Sequence, residues 1–263
     1  MNSVLRRVVI LLPVCLVLAV SNVQATSLRD GHYWATINGH KMYYEVHGHG
    51  SSLLLLHGGG SSGAESFEQQ LHVFARHHQI ILPDQVGQGR TPDVNGALSY
   101  TAMMRDTLAL LNLLQLKKVD VVGFSDGGIL ALMLAVNHPQ RIGRVVVSGV
   151  NIAPEGLTAD TLQDLRAIPL PDEPRTLDEK LRQLWLHAPT SKELNLELLS
   201  RINHPVLVIS GDRDAITLEH TLQIYRAIPH AELCILPGTD HGTFTGRPDW
   251  VNPITLSFLD RRN

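Results

Sequence analysis

Val121-Val122-Gly123-Phe124-Ser125-Asp126-Gly127-Gly128 is the stretch that decides how this chain reads. A short apolar run enters it, and a run of small and apolar residues with helical character, 125–137, leaves it. G-x-S-x-G set between a buried strand and a helix forms a sharp, strained turn that lifts its serine out of the sheet edge. The residues two places to either side must then be minimal, and Gly123 and Gly127 are. Ser125 is the candidate nucleophile. The backbone N–H of Asp126 would face the same spot from a helix N-terminus, a favourable place for developing negative charge.

Moving outward, the apolar run 53–56 ends in His57-Gly58-Gly59-Gly60. Glycines there let the backbone approach a substrate and aim N–H groups at an oxyanion. Gly59 is the expected second donor, with Gly60 as the alternative. One such donor contributes about 2.7–4 kcal/mol in the transition state. His57 reads as a structural neighbour of this loop. A hydroxyl nucleophile needs a base, and the base needs an orienting acid. A strand at 205–210 leads into Asp212-Arg213-Asp214, and one at 232–236 leads into Thr239-Asp240-His241-Gly242. His241 is the candidate base. Asp214 and Asp212 compete for the acid, while Asp240 is adjacent to the base and should diverge from it.

Around these motifs, strand-like runs also fall at 32–37, 41–46, 79–83, 119–123 and 144–148. Asn38-Gly39 predicts a tight hairpin between the first two. Helical spacing falls at 64–76, 100–116, 218–227 and 250–261. The alternation predicts an α/β fold, a mostly parallel sheet of eight strands with helices on both faces. Residues 151–203 carry no strand signal but five prolines, and predict a helical cap inserted in the catalytic domain. Its Leu157, Leu165, Trp185 and Leu186 suggest a partly apolar pocket, with core packing the favoured role for each.

Composition narrows the function. The chain has 263 residues and a formal net charge of -3, which excludes a strongly basic nucleic-acid binder. Fourteen histidines show no recognised ligand spacing, so no metal and no cofactor are expected. At the N-terminus, Arg6-Arg7, an apolar run and Ser21-Asn22-Val23-Gln24-Ala25 read as a cleaved secretory signal, residues 1–25. Residues 26–263 are then the catalytic domain, in a periplasmic or secreted protein that does not stay in the membrane. Cleavage leaves 20 basic against 25 acidic residues, a charge of -5. It also leaves Cys234 as the one cysteine, expected to be a small buried hydrophobe.

Five segments together resemble the α/β-hydrolase superfamily: L-H-G-G-G at 56–60, D-Q-V-G-Q-G-R-T at 84–91, G-F-S-D-G-G at 123–128, G-D-R-D at 211–214 and P-G-T-D-H at 237–241. The resemblance covers nearly all of the mature chain. It implies a Ser125–Asp214–His241 triad, with Asp214 favoured over Asp212. The S-D-G-G sequence is similar to the valacyclovirase-type, biphenyl-hydrolase-like branch. That implies Asp126 as a receiver of a substrate amine, although an acid in the first turn of a helix is favourable in any case. The H-G-G-G loop and Gln85 depart from that branch. The expected activity is hydrolysis of a carboxylic ester of a small molecule through an acyl-enzyme. An aminopeptidase, a C–C bond hydrolase and a low-turnover ligand sensor are the alternatives.

Overall fold

A computed structural model of the chain describes residues 28–261. The signal expected at 1–25 lies outside the described residues. Eight strands form one sheet: β1 (Gly31–Ile37), β2 (His40–His47), β3 (Ser51–Leu56), β4 (His78–Pro83), β5 (Val119–Phe124), β6 (Ile142–Ser148), β7 (Val206–Gly211) and β8 (Ala231–Leu236). Their order is β1-β2-β4-β3-β5-β6-β7-β8. The β1–β2 and β2–β4 pairs are antiparallel and the remainder are parallel. All eight stand within two residues of their predicted bounds. Asn38 and Gly39 have φ of 47° and 95°, the positive pair that the β1–β2 turn requires.

The helices are α1 (Gly63–Ser66), α2 (Glu68–Phe74), α3 (Tyr100–Leu113), α4 (Asp126–Asn137), α5 (Ala159–Ala167), α6 (Leu177–His187), α7 (Leu196–Leu199), α8 (Leu218–Ala227), α9 (Thr243–Gly246) and α10 (Pro248–Leu259). Alternation along β3 explains why both sheet faces are covered. Leu54 and Leu56 join a core with Leu110 of α3 and Leu130 and Leu134 of α4. Leu53 and Leu55 join the opposite core with Phe74 of α2 and Val251 and Phe258 of α10.

The structure corrects three expectations. The helix predicted over 64–76 is two helices, because Phe67 leaves helical geometry (φ -122°, ψ 21°) with its ring 5.4 Å from that of Phe244. Cys234 is half-buried rather than interior. It lies on β8, an edge strand with sheet on one side only. Leu157 and Leu165 line a cavity instead of joining the core, whereas Trp185 lines that cavity and also packs against the core.

That segment contains α5, α6 and α7 and no strand. An isolated bridge joins Leu157 to Ile216. Lys180 Nζ on α6 pairs with Asp93 Oδ2 at 2.7 Å, and Thr101 on α3 donates to Glu193 Oε1 at 2.7 Å. Among the described residues no helix is long and apolar enough to cross a membrane.

Candidate active site

β5 ends at Phe124, and Ser125 turns the chain into α4 with φ 52° and ψ -119°. Its N–H donates to Ser148 O at 2.9 Å, and its carbonyl accepts from the N–H groups of Gly128 and Ile129. The flanking glycines are needed for close approach. A Cβ on Gly127 would stand 1.9 Å from Leu56 O, and one on Gly123 would stand 2.2 Å from Gly127 O.

The loop after β8 brings His241 to this turn. Its Nε2 lies 2.9 Å from Ser125 Oγ, and its Nδ1 lies 2.6 Å from Asp214 Oδ1. Asp214 also accepts from the N–H of Ile216 at 3.0 Å and the hydroxyl of Ser210 at 3.1 Å. Burial pushes the Asp214 carboxyl up, but the bond and charge of His241, together with those two donors, hold it below the ordinary value. The ring of Phe124 packs 5.1 Å from that of His241.

The other two acids stand apart. Asp212 is exposed and accepts from Thr239 N–H at 3.1 Å, bracing the loop that carries His241. Asp240 is exposed and accepts from Gly242 N–H at 2.9 Å. The competition between Asp212 and Asp214 for the histidine therefore goes to Asp214.

Gly60 N–H donates to Gln88 Oε1 at 2.7 Å, which takes it out of the oxyanion site. Among the described residues no protein group accepts from the N–H of Gly59 or Asp126, and both residues border the cavity at Ser125. His57 is structural. It accepts from Gln85 N–H at Nε2 and donates from Nδ1 to Gly58 O, each at 2.8 Å. Burial lowers its pKa and keeps it neutral.

The Asp126 side chain is buried above the nucleophile turn. Tyr100 on α3 donates to its Oδ1 at 2.9 Å, and Trp185 Nε1 on α6 stands 3.1 Å from both oxygens. Burial raises its pKa, outweighing the opposing effects of Trp185, Tyr100 and His241. Neither Tyr100 nor Trp185 was assigned to this acid by sequence. The pairs are 26 and 59 residues apart, beyond any local spacing signal.

Ser125 and His241 open into a cavity of about 220 Å³ lined by Gly59, Tyr100, Asp126, Asn151, Leu157, Thr161, Leu165, Trp185, Ala215 and Ile216. On the other side of His241 is an open cleft of about 620 Å³ with Thr158, Arg213, Asp240 and Thr245 on its walls. Among the described residues no group of three or more His, Cys, Asp or Glu side chains is placed to hold a metal ion.

The family model described as the alpha/beta hydrolase family matches residues 53–254. The chain belongs to the alpha/beta hydrolase family and is a serine hydrolase within it. It is 27% identical over 247 residues to the human serine hydrolase BPHL, covering 85% of this chain and 84% of that one. It is 26% identical over 257 residues to the 2-hydroxy-6-oxo-6-phenylhexa-2,4-dienoate hydrolase of Burkholderia cepacia, covering 81% and 88% of the two chains. The solved structure of the hydrolase of that name from Rhodococcus sp. strain RHA1 superposes with a TM-score of 0.77 at 21% identity, over 89% of this chain and 99% of that one. That last likeness is one of fold.

Proposed function

We propose that the protein hydrolyses a carboxylic ester of a small, uncharged acid through an acyl-enzyme on Ser125. The observation that carries this reading is the line from Ser125 Oγ through His241 to Asp214, at 2.9 and 2.6 Å, ending at a small cavity. Ser125 Oγ attacks the ester carbonyl while His241 Nε2 takes its proton. The N–H groups of Gly59 and Asp126 receive the oxyanion. His241 returns the proton to the departing alcohol, and water then attacks the acyl-enzyme with His241 again as base. Asp214 keeps Nδ1 protonated and stabilises the ring while it is charged.

The cavity supports a neutral acyl group. Its one acidic wall group is the carboxyl of Asp126, and no lysine or arginine lines it. A dienoate, the substrate type in the name of the B. cepacia relative, carries a carboxylate. Inside this cavity it would meet a second carboxylate and no cation, which disfavours the C–C hydrolase alternative. The cavity is also smaller than the range of about 300–1,000 Å³ usual for drug-sized ligands.

The test is a substrate panel on residues 26–263: p-nitrophenyl acetate and butyrate, an aminoacyl p-nitroanilide and the phenyl-substituted dienoate. Short neutral esters should be turned over fastest, and Ser125→Ala should lose that activity. Undiminished turnover in Ser125→Ala, or preference for the dienoate, would reject the ester reading.

A further inference from the structure

We propose that Trp185 is a positioning residue of the hydrolytic site. Through the carboxylate of Asp126, its indole N–H sets the spacing between the oxyanion loop at Gly59 and the first turn of α4. The proposal rests on the serine-hydrolase site described above and assigns it a part supplied by the inserted segment.

Three observations converge. Trp185 Nε1 stands 3.1 Å from each oxygen of Asp126, so one donor bridges the whole carboxylate. The backbone N–H of Asp126 has no protein acceptor among the described residues, and Asp126 borders the cavity at Ser125, which makes it the expected oxyanion donor. The space that a Cβ of Gly59 would need is already filled, by Asp126 Oδ2 at 2.3 Å and Trp185 Cζ2 at 2.8 Å. Gly59 shows no left-handed backbone, so its lack of a side chain serves this packing. The two oxyanion donors are thus held apart by a sandwich of carboxylate and indole. Among the described residues, this is the one side-chain hydrogen bond from the inserted helices to the turn that carries Ser125.

The hydrogen bonding of Asp126 argues for an internal role over an external one. A carboxylate offers about four lone-pair directions. Two protein donors face it: the Tyr100 hydroxyl at Oδ1, and the single N–H of Trp185 shared between both oxygens. Both oxygens of this buried acid are already engaged by protein donors, so losing one would leave it buried and under-satisfied. Strain of that kind would move the first turn of α4, and with it a donor that has to be placed to within a fraction of an ångström.

The test is a double-mutant cycle on the full mature chain. Trp185→Phe keeps a ring and removes the N–H, while Asp126→Asn keeps the shape and removes the charge. The readouts are kcat and KM for p-nitrophenyl acetate and the rate at which a fluorophosphonate labels Ser125. Each single variant should lower kcat and the labelling rate about tenfold with KM held within about twofold, because an oxyanion donor is displaced in the transition state. The double variant should lose no more than the worse single one. Additive losses, or a change confined to KM, would overturn the proposal. So would an Asp126→Asn variant that loses only aminoacyl esters while Trp185→Phe spares every substrate. If the native protein labels at Ser125 but ignores the esters, the ester reading fails and the labelling rates still decide the role of Trp185. A native protein that does not label at all overturns both. Should a variant not fold, a chain with Trp34 and Trp250 replaced by Phe retains Trp185 as its single indole. Labelling Ser125 should then shift its emission, and an unchanged spectrum would overturn the proposal.

Discussion

The carboxylate of Asp214 meets Nδ1 of His241 at 2.6 Å, and none of the Asp214 side chain reaches water. An amide at this position could offer its NH2 to Nδ1 and hold the imidazole in the wrong tautomer. Asp214→Asn is expected to lower kcat by about 10³–10⁴-fold with little change in KM. Asp212→Asn removes a charge but can still accept from Thr239 N–H, and should cost less than about tenfold. Steady-state kinetics on a short ester separate the two, and equal losses would return the acid role to Asp212.

Ser125 adopts φ 52° with ψ -119°, a conformation that disfavours every residue except glycine. Such strain costs about 1–3 kcal/mol. Ser125→Gly should therefore raise Tm by a few degrees while abolishing turnover, even after the added chain entropy of glycine, about 0.5–1 kcal/mol. Gly127→Ala has the opposite sign. Its Cβ would lie 1.9 Å from Leu56 O, and the variant should melt far lower or fail to fold. Thermal melts decide both, and a lowered Tm for Ser125→Gly would contradict a strained turn.

Asp126 and Asp214 should leave opposite marks on stability against pH. Burial raises the Asp126 carboxyl despite Trp185 and Tyr100, so the folded chain keeps this proton where the unfolded chain has shed it. Its contribution falls as pH rises from the unfolded value, about 3.9, through the folded one. Asp126→Asn cannot titrate, so its Tm relative to the native protein should improve from acid to neutral pH. Asp214 is lowered by His241, Ile216 and Ser210 against the pull of burial. It contributes stability above the unfolded value and loses it as pH falls through the folded one. Asp214→Asn should thus compare worst at neutral pH and best in acid. Parallel trends in the two variants would refute this assignment.

The N-terminal pattern predicts export with cleavage after Ala25. Mass spectrometry of the protein from the periplasm or medium should give a chain beginning at Thr26. A product that keeps Met1 inside the cell would refute export. The exported chain should form no intramolecular disulfide, since Cys234 is its one cysteine.

Much of this fold is legible in the sequence because its strands are buried on both faces and read as short apolar runs. Leu53 to Leu56 and Val206 to Ile209 are the plainest. The nucleophile turn is legible because sterics leave glycine no substitute at 123 and 127. The local pattern leaves Asp212 and Asp214 alike; the resemblance favours Asp214, and the geometry agrees, with Asp212 exposed and Asp214 buried against His241. What could not be read is a pairing between distant elements that no motif carries. The clasp of Tyr100 and Trp185 on Asp126 joins three helices, and nothing near any of the three residues announces it. Phe67 broke its predicted helix for a similar reason, as its ring packs on Phe244 from another part of the chain.

Five of the residues around the cavity, Asn151, Leu157, Thr161, Leu165 and Trp185, belong to the inserted segment, whereas Ser125, Asp214 and His241 lie at strand ends of the sheet. Reactivity and selectivity therefore reside in separable stretches of polypeptide. Grafting a relative's helices in place of 151–203 should transplant that relative's choice of acid. The hybrid should stay fast only where the graft presents an indole to Asp126, so the position at 185 sets which exchanges remain open to divergence or to engineering.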